Sequence, residues 1–134
     1  AAAGAPPAPV AGAKILYVED NPSNFKLIER VVGRRPGVRL ITATRGGDGL
    51  ALAREHRPDV VLLDLHLPDM HGSEVMRRIH EDPVLSRTPV VIISADVTSS
   101  QVQRLLDAGA RAYLPKPLDV GDFLRILDEL LVAA

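Results

Sequence analysis

Short, continuous runs of apolar residues alternate along the chain with segments whose apolar residues recur at helical spacing. Continuous apolarity rich in β-branched residues is typical of strands that are covered on both faces, as in a parallel sheet. The runs of this kind are Ile15–Val18, Val38–Ala43, Val60–Leu63, Val90–Ile93 and Ala110–Leu114. The pattern therefore predicts five strands.

Segments with apolar residues at helical spacing separate these strands and follow the last one. The residues that share a helical face are Phe25, Ile28, Val31 and Val32; Val75, Met76 and Ile79; Val102, Leu105 and Leu106; and Phe123, Ile126, Leu127, Leu130 and Leu131. Signals for helix ends are Asn21 before Pro22, Thr98 with Gln101, Asp119, and a C-terminal glycine at Gly109. Five strands alternating with five helices predict an α/β fold, a doubly wound sandwich around a parallel sheet.

The loops after the strands carry acidic, hydroxyl and basic residues. Right-handed crossovers bring these loops to the carboxyl edge of the sheet, where such folds bind ligands. The residues concerned are Glu19, Asp20 and Asn21 after the first strand, Asp64 after the third, Ser94 after the fourth and Lys116 after the fifth. Three carboxylates, one hydroxyl and one ammonium are therefore expected to meet at this edge.

Such a cluster of carboxylates needs a positive partner. Carboxylates about 4 Å apart repel by on the order of 4 kcal/mol at an effective dielectric constant near 20, so the cluster takes up a proton or binds a cation. Mg²⁺ suits it, because this ion prefers carboxylate, carbonyl, water and phosphate oxygens. With the Lys116 ammonium and the Ser94 hydroxyl, the edge favours a phosphoryl group on Asp64. Each residue taken alone is more often a cap, a turn residue or a solvated charge, so the hypothesis depends on their joint occurrence.

Composition restricts the classes of function. The chain has 134 residues, a net charge of −1, no cysteine and 3% aromatic residues. These values disfavour a nucleic-acid surface and exclude disulfides, cysteine zinc sites and thiol nucleophiles. No apolar stretch reaches the roughly 20 residues that cross a bilayer, so a cytoplasmic location without membrane contact is expected. Residues 1–13, rich in Ala and Pro, are predicted to be a disordered linker or tail, and residues 14–132 one domain.

Four segments resemble the receiver domain of two-component response regulators. They are ILYVEDNPSN at 15–24, VVLLDLHLPDMHG at 60–72, VVIISAD at 90–96 and GARAYLPKPL at 109–118. The intervals of 44 residues from Asp20 to Asp64, 30 to Ser94 and 22 to Lys116 match the family pattern. The resemblance covers about residues 14–132 and implies a flavodoxin-like (βα)5 fold with strand order 2-1-3-4-5.

The resemblance also implies a role for each residue at the carboxyl edge. Asp64 is expected to accept a phosphoryl group from phosphohistidine and to contact Mg²⁺ or Mn²⁺. Asp20 is expected to bind the metal directly, Glu19 mainly through metal-bound water, and His66 through its backbone carbonyl.

A second set of residues corresponds to the family's switch. Ser94 and Lys116 are expected to bind the phosphoryl group, the Lys116–Pro117 bond to be cis, and Tyr113 to turn inward when Ser94 moves. The surface formed by the fourth helix, the fifth strand and the fifth helix is then expected to change, and it is a candidate dimer face. Without a switch, Tyr113 is an ordinary half-buried strand tyrosine.

Two residues near the acceptor match family positions that tune the lifetime of the acyl phosphate. They are His66, two after Asp64, and Asp96, two after Ser94. The alternative for His66 is a solvent-facing loop residue. His66 and His71 lack a third ligand at zinc-like spacing, so no zinc site is expected.

The expected partner is a histidine kinase dimerisation domain or a histidine phosphotransfer protein, docking near Asn24 and Phe25. The Glu-Asp-Asn sequence at 19–21 and the Ala/Pro segment before the domain favour the C-terminal receiver of a hybrid sensor histidine kinase. A stand-alone response regulator is the alternative. In either case the domain itself is not expected to be a turnover enzyme, although the parent chain of a hybrid is a kinase.

Three other classes remain as alternatives. A phosphohydrolase of the haloacid dehalogenase type also uses a strand-end Asp, but it needs a second Asp where this chain has His66. A flavodoxin relative would need a phosphate loop rich in Ser, Thr and Gly instead of Glu19 and Asp20. A pseudo-receiver would dock partners without phosphorylation.

Overall fold

The computed structural model describes residues 12–131, so all of the predicted tail except its last two residues lies outside the described residues. The elements are β1 (Lys14–Val18), α1 (Pro22–Val32), β2 (Arg39–Ala43), α2 (Gly46–His56), β3 (Val60–Leu63), α3 (Gly72–Glu81), β4 (Val90–Ser94), α4 (Ser99–Asp107), β5 (Ala112–Pro115) and α5 (Val120–Leu131). Within residues 12–131, no helix has the length and apolarity needed to span a membrane.

The strands form one parallel sheet in the order β2-β1-β3-β4-β5, which confirms the predicted fold. α1 and α5 cover one face of the sheet, and α2, α3 and α4 cover the other. Every residue of β3 and β4 is buried, because these interior strands have helices on both sides. This arrangement explains why the strands read as continuous apolar runs and not as alternating ones.

The helix ends confirm the predicted caps. Asn21 accepts a hydrogen bond from the first turn of α1, and Thr98 forms a capping box with Gln101 at the start of α4. Asp119 caps α5 in the same way as Asn21 caps α1. Gly109 follows α4 with a φ of +114°, a left-handed conformation that glycine adopts without strain. The caps at Asn21 and Thr98 start α1 and α4 a few residues after β1 and β4, next to the carboxyl edge.

The structure differs from the sequence analysis at several positions. Ala13, predicted to be the last residue of the tail, is 1% exposed, and its carbonyl accepts from the amide of Arg39, so this residue packs against the sheet. Val38 and residues 110–111 lie outside the strands. Leu106 is 38% exposed, whereas Leu105 is buried, because α4 turns a narrower face to the sheet than its apolar spacing predicted.

Candidate functional site

Asp64, directly after β3, is buried and has hydrogen-bond donors on both carboxylate oxygens. Ser94 Oγ donates to Oδ1 at 2.8 Å, and the backbone N–H of His66 donates to the same atom at 3.1 Å. Lys116 Nζ donates to Oδ2 at 2.8 Å. The ends of β3, β4 and β5 thus together hold this carboxylate in one orientation.

Glu19, directly after β1, shares the Lys116 ammonium with Asp64. Lys116 Nζ lies 2.9 Å from Glu19 Oε1, and the Asn24 side-chain amide donates to the same oxygen. Glu19 Oε2 is buried and has no hydrogen-bond partner among residues 12–131. Because a buried carboxylate oxygen without a donor is costly, a cation or its bound water would stabilise this side chain.

The two buried carboxyls differ in their affinity for a proton. Burial, with the nearby Asp64 carboxylate, raises the pKa of Glu19 to about 7. Burial also disfavours the charged form of Asp64, but the neighbouring Glu19 carboxyl and the donors from Lys116, His66 and Ser94 outweigh it and lower the pKa of Asp64 to about 2. Asp64 is therefore ionised at neutral pH, as a nucleophile must be.

Asp20 completes an acidic cluster that opens to solvent. One oxygen from each of Glu19, Asp20 and Asp64 lies within 4.8 Å of the others, and Asp20 is the exposed member. When all are ionised, these carboxylates and the Lys116 ammonium carry two net negative charges, which a divalent cation would neutralise. The oxygen donors and the unpartnered Glu19 Oε2 fit a hard cation such as Mg²⁺ or Mn²⁺.

The loop between β3 and α3 is closed at its base, next to the Asp64 backbone. The Gly72 amide donates to the Leu65 carbonyl at 2.9 Å, and His66 forms a β-bridge with His71. A methyl group added at Gly72 would lie 2.3 Å from the carbonyl oxygen of Asp64. The absence of a side chain at Gly72 therefore lets the start of α3 pack directly against the residue that carries the carboxylate.

The tip of the same loop holds the start of α2. The Asp69 carboxylate accepts from the amides of Gly46 at 2.8 Å and Gly47 at 2.9 Å, and these bonds lower the pKa of Asp69. Within the described residues, the side chain of Arg45, which precedes the helix, makes no capping bond. Asp69 thus caps α2 from another part of the chain.

The residues predicted to form the switch also lie together. The Tyr113 hydroxyl donates to the backbone carbonyl of Ser94 at 2.9 Å, and Tyr113 is half-buried against the α2–α3–α4 side of the core. The peptide bond between Lys116 and Pro117 is cis. Tyr113 and Asp64 are therefore both bonded to Ser94, one through its carbonyl and the other through its hydroxyl.

His66 and Asp96 follow Asp64 and Ser94 by two residues each, and both are exposed. His66 Nε2 lies 3.4 Å from the carbonyl oxygen of Ala95, so the ring reaches from the loop after β3 to the loop after β4. Asp96 has a φ of 56°, in the left-handed region that non-glycine residues seldom adopt.

Two residues of the site were missed by sequence reasoning. Asn24 is predicted only as a residue near a docking partner, and the structure adds a bond from its side-chain amide to Glu19. Asp69 lies in the segment at 60–72 that resembles the family, but the sequence analysis predicts no role for it and no bonds from it to α2. A signal for Asn24 was available, because side chains in the first turn of a helix point back toward its N-terminus and hence toward the end of the preceding strand.

The strand order and the acidic carboxyl edge define the class of the protein, a flavodoxin-like α/β domain with a candidate metal site. The profile of the response regulator receiver domain family matches residues 15–128. The chain belongs to this family. Receiver domains bind Mg²⁺ at an acidic pocket and interact with histidine kinases or phosphotransfer proteins.

Individual relatives agree with this assignment. The polar-differentiation response regulator DivK of Brucella anthropi is 34% identical over 117 residues, which cover 87% of this chain and 94% of DivK. The receiver domain of a sensor histidine kinase from Pseudomonas aeruginosa, with a magnesium ion in its active-site cleft, is 32% identical with a TM-score of 0.79, covering 90% of this chain and 98% of the other. A chemotaxis response regulator of Vibrio cholerae is 27% identical with a TM-score of 0.80, covering 89% and 98%.

Proposed function

We propose that this domain accepts a phosphoryl group from phosphohistidine onto Asp64 and signals through the resulting change of conformation. The observation that supports this most directly is the Asp64 carboxylate, ionised, buried and held between Lys116 and Ser94 beside an acidic cluster. If Asp64 had only a structural role, Lys116 would not need to pair with Glu19 as well, and Glu19 would not need a buried oxygen without a donor among the described residues.

The proposed reaction is an in-line displacement. An Asp64 carboxylate oxygen attacks phosphorus, an oxygen–phosphorus bond forms, and the nitrogen–phosphorus bond of phosphohistidine breaks with its electron pair going to the imidazole. The Lys116 ammonium, now 2.8 Å from Asp64 Oδ2, can follow the developing charge onto a phosphoryl oxygen. The Ser94 hydroxyl, 2.8 Å from Oδ1, can likewise move its hydrogen bond to that group.

The metal site is proposed from the same residues. Asp20 and Asp64 would bind Mg²⁺ or Mn²⁺ directly, together with the backbone carbonyl of His66, and Glu19 would act through metal-bound water. The bound ion neutralises negative charge on the phosphoryl oxygens. The buried Glu19 Oε2 supports this assignment, because it has no donor among the described residues.

The output is proposed to pass through the surface formed by α4, β5 and α5. Loss of the Ser94 hydrogen bond to Asp64 would free Ser94 to shift, and Tyr113, bonded to its carbonyl, would shift with it. Leu106 on α4 is exposed on the outer side of this helix. A partner or a second copy that binds this surface better in one state would read the phosphorylation.

We infer two settings for the domain and favour the first. In the C-terminal receiver of a hybrid sensor histidine kinase, the donor is the dimerisation domain or a histidine phosphotransfer protein, docking near Phe25. The likeness to the receiver of the Pseudomonas aeruginosa kinase supports this setting. The likeness to DivK over 94% of its length supports a stand-alone regulator. Both settings predict a cytoplasmic location.

The proposal is tested by incubating the chain with acetyl phosphate and Mg²⁺ and measuring its intact mass. We expect one adduct of about 80 Da, a single phosphoryl group, that requires Mg²⁺ and is absent in Asp64→Asn. Asp59→Asn is the matched control, because Asp59 lies at the opposite end of β3 and should leave the adduct unchanged.

Other outcomes separate the remaining classes. No adduct in the folded wild type, with docking of a kinase retained, would indicate a pseudo-receiver. Steady release of phosphate from a small phosphate ester would indicate a phosphohydrolase. An adduct that persists in Asp64→Asn would place the acceptor elsewhere and contradict the proposal.

A further inference from the structure

The two oxygens of Glu19 have different surroundings. Oε1 accepts from both Lys116 Nζ, at 2.9 Å, and the Asn24 side-chain amide. Oε2 is buried and has no donor among residues 12–131. The residue as a whole is 1% exposed. One oxygen is thus used by protein donors, and the other is left for a ligand of the site.

We propose that Asn24 is a positioning residue for the metal site: it fixes the Glu19 carboxylate so that Oε2 serves the metal-bound water. This rests on the proposed function, which places a metal beside Glu19. Lys116 alone does not fix the carboxylate, because its ammonium also bonds Asp64 and must be free to follow the phosphoryl group. Among residues 12–131, the Asn24 side chain bonds Glu19 alone, so it can hold this carboxylate in place.

The position of Asn24 in the fold suits this role. Asn24 lies in the first turn of α1, which starts immediately after the loop that follows β1. Asn21 caps the helix and sets its start, so the Asn24 side chain points back toward Glu19. The amide is half-buried beside a buried carboxylate, where a hydrogen bond to a charged group is worth more than at the surface.

Three variants test the proposal. Asn24→Leu keeps the size of the side chain and loses its donor. Asn24→Gln keeps an amide donor on a longer side chain. Ser23→Ala is the control on the same turn, because Ser23 is exposed and its hydroxyl makes no recorded bond within the described residues. The readouts are Mg²⁺ affinity, from calorimetry with the metal alone, and the free energy of unfolding in urea with chelator.

We expect Asn24→Leu to weaken Mg²⁺ binding by roughly tenfold, as loss of an outer-shell partner does. Asn24→Gln should weaken Mg²⁺ binding clearly less, and Ser23→Ala should leave it unchanged. The unfolding measurement shows whether each variant is folded. The role of Asn24 would be overturned if wild type and Asn24→Leu bound Mg²⁺ equally well, or if Asn24→Leu and Asn24→Gln lost equal Mg²⁺ affinity. Neither result would contradict the proposed function. A wild-type chain that binds no Mg²⁺ would overturn both the inference and the proposed function.

Discussion

The hydroxyl of Tyr113 donates to the backbone carbonyl of Ser94 at 2.9 Å, and the side chain of Ser94 donates to Asp64 at 2.8 Å. A tyrosine on β5 is therefore linked to the proposed acceptor through a single intervening residue. The Ser94 carbonyl also accepts from the backbone amide of Lys116 at 3.2 Å. The Ser94 carbonyl thus accepts one side-chain bond from β5 and one main-chain bond from the residue that follows it.

This link predicts the effect of Tyr113→Phe. We expect the free energy of unfolding, measured in urea, to fall by about 0.5–1 kcal/mol, since the Ser94 carbonyl keeps its second donor. Tyr17→Phe is the control, because the Tyr17 hydroxyl makes no recorded hydrogen bond among residues 12–131, and it should change stability less. A larger loss in Tyr17→Phe would show that the Tyr113 bond does not contribute as described.

Asp20→Asn is expected to separate metal binding from folding. Asp20 is exposed and makes no recorded bond in the described part of the chain, yet it lies in the acidic cluster. We expect Mg²⁺ affinity to fall at least tenfold, while stability with chelator stays equal or rises because repulsion is relieved. Asp48→Asn, an exposed acid outside the cluster, should change neither quantity, and a similar loss of affinity there would contradict the site.

His66→Ala is expected to shorten the lifetime of the acyl phosphate. The His66 ring reaches the Ala95 carbonyl and so spans the loops that directly follow Asp64 and Ser94, and we expect its loss to open this side of the site to water. We expect a roughly tenfold faster decay, equivalent to about 1.4 kcal/mol in the barrier, measured by the loss of the mass adduct over time. Asp96→Ala should also change the decay rate, and both variants should still be phosphorylated. His56→Gln, in α2, should decay like the wild type.

Asp69→Asn is expected to weaken the domain in a pH-dependent way. Removing one acceptor from the start of α2 should cost about 1 kcal/mol of unfolding free energy at pH 7. The amides of Gly47 and Gly46 lower the pKa of Asp69 below its usual 3.8. The contribution of Asp69 to the unfolding free energy is therefore complete above pH 3.8, and it is lost as the pH falls through the lower pKa of the folded state. Unfolding in urea from pH 7 to pH 3 should show the gap between wild type and variant closing, and a constant gap would refute this account.

Gly72→Ala is expected to destabilise the domain by about 2 kcal/mol or more, within the usual range for overpacking. The added methyl group would lie 2.3 Å from the Asp64 carbonyl oxygen, and backbone cannot move aside cheaply. At Gly47 a methyl group would meet Asp69 Oδ2 at an ordinary 3.4 Å. Gly47→Ala should therefore change unfolding free energy by less than about 1 kcal/mol, and equal losses at the two glycines would contradict the proposed packing.

Much of the fold could be predicted from sequence because the interior strands are buried on both faces. Val60–Leu63 was predicted with the bounds that the structure has. β2 is less distinct, since it is an edge strand with partly exposed residues, and its predicted start at Val38 is one residue early. The apolar spacing of α4 placed Leu106 on the buried face, but spacing does not determine how wide a face the sheet covers.

The site was partly predictable for a related reason. Strand ends in a parallel sheet meet at one edge whatever the details of the loops, so Glu19, Asp64, Ser94 and Lys116 could be expected to meet there. The bond from Asp69 to α2 depends instead on the path of a loop, and nothing in its spacing from Gly46 and Gly47 reveals that path.

The burial of Ala13 determines where a preceding segment would join the domain. Ala13 is held at the amino end of β1, whereas Glu19 and Asp64 lie at the carboxyl edge, on the order of 20 Å away at about 3.3 Å per residue. A domain joined ahead of this point would therefore be attached at the end of the sheet opposite the acidic cluster.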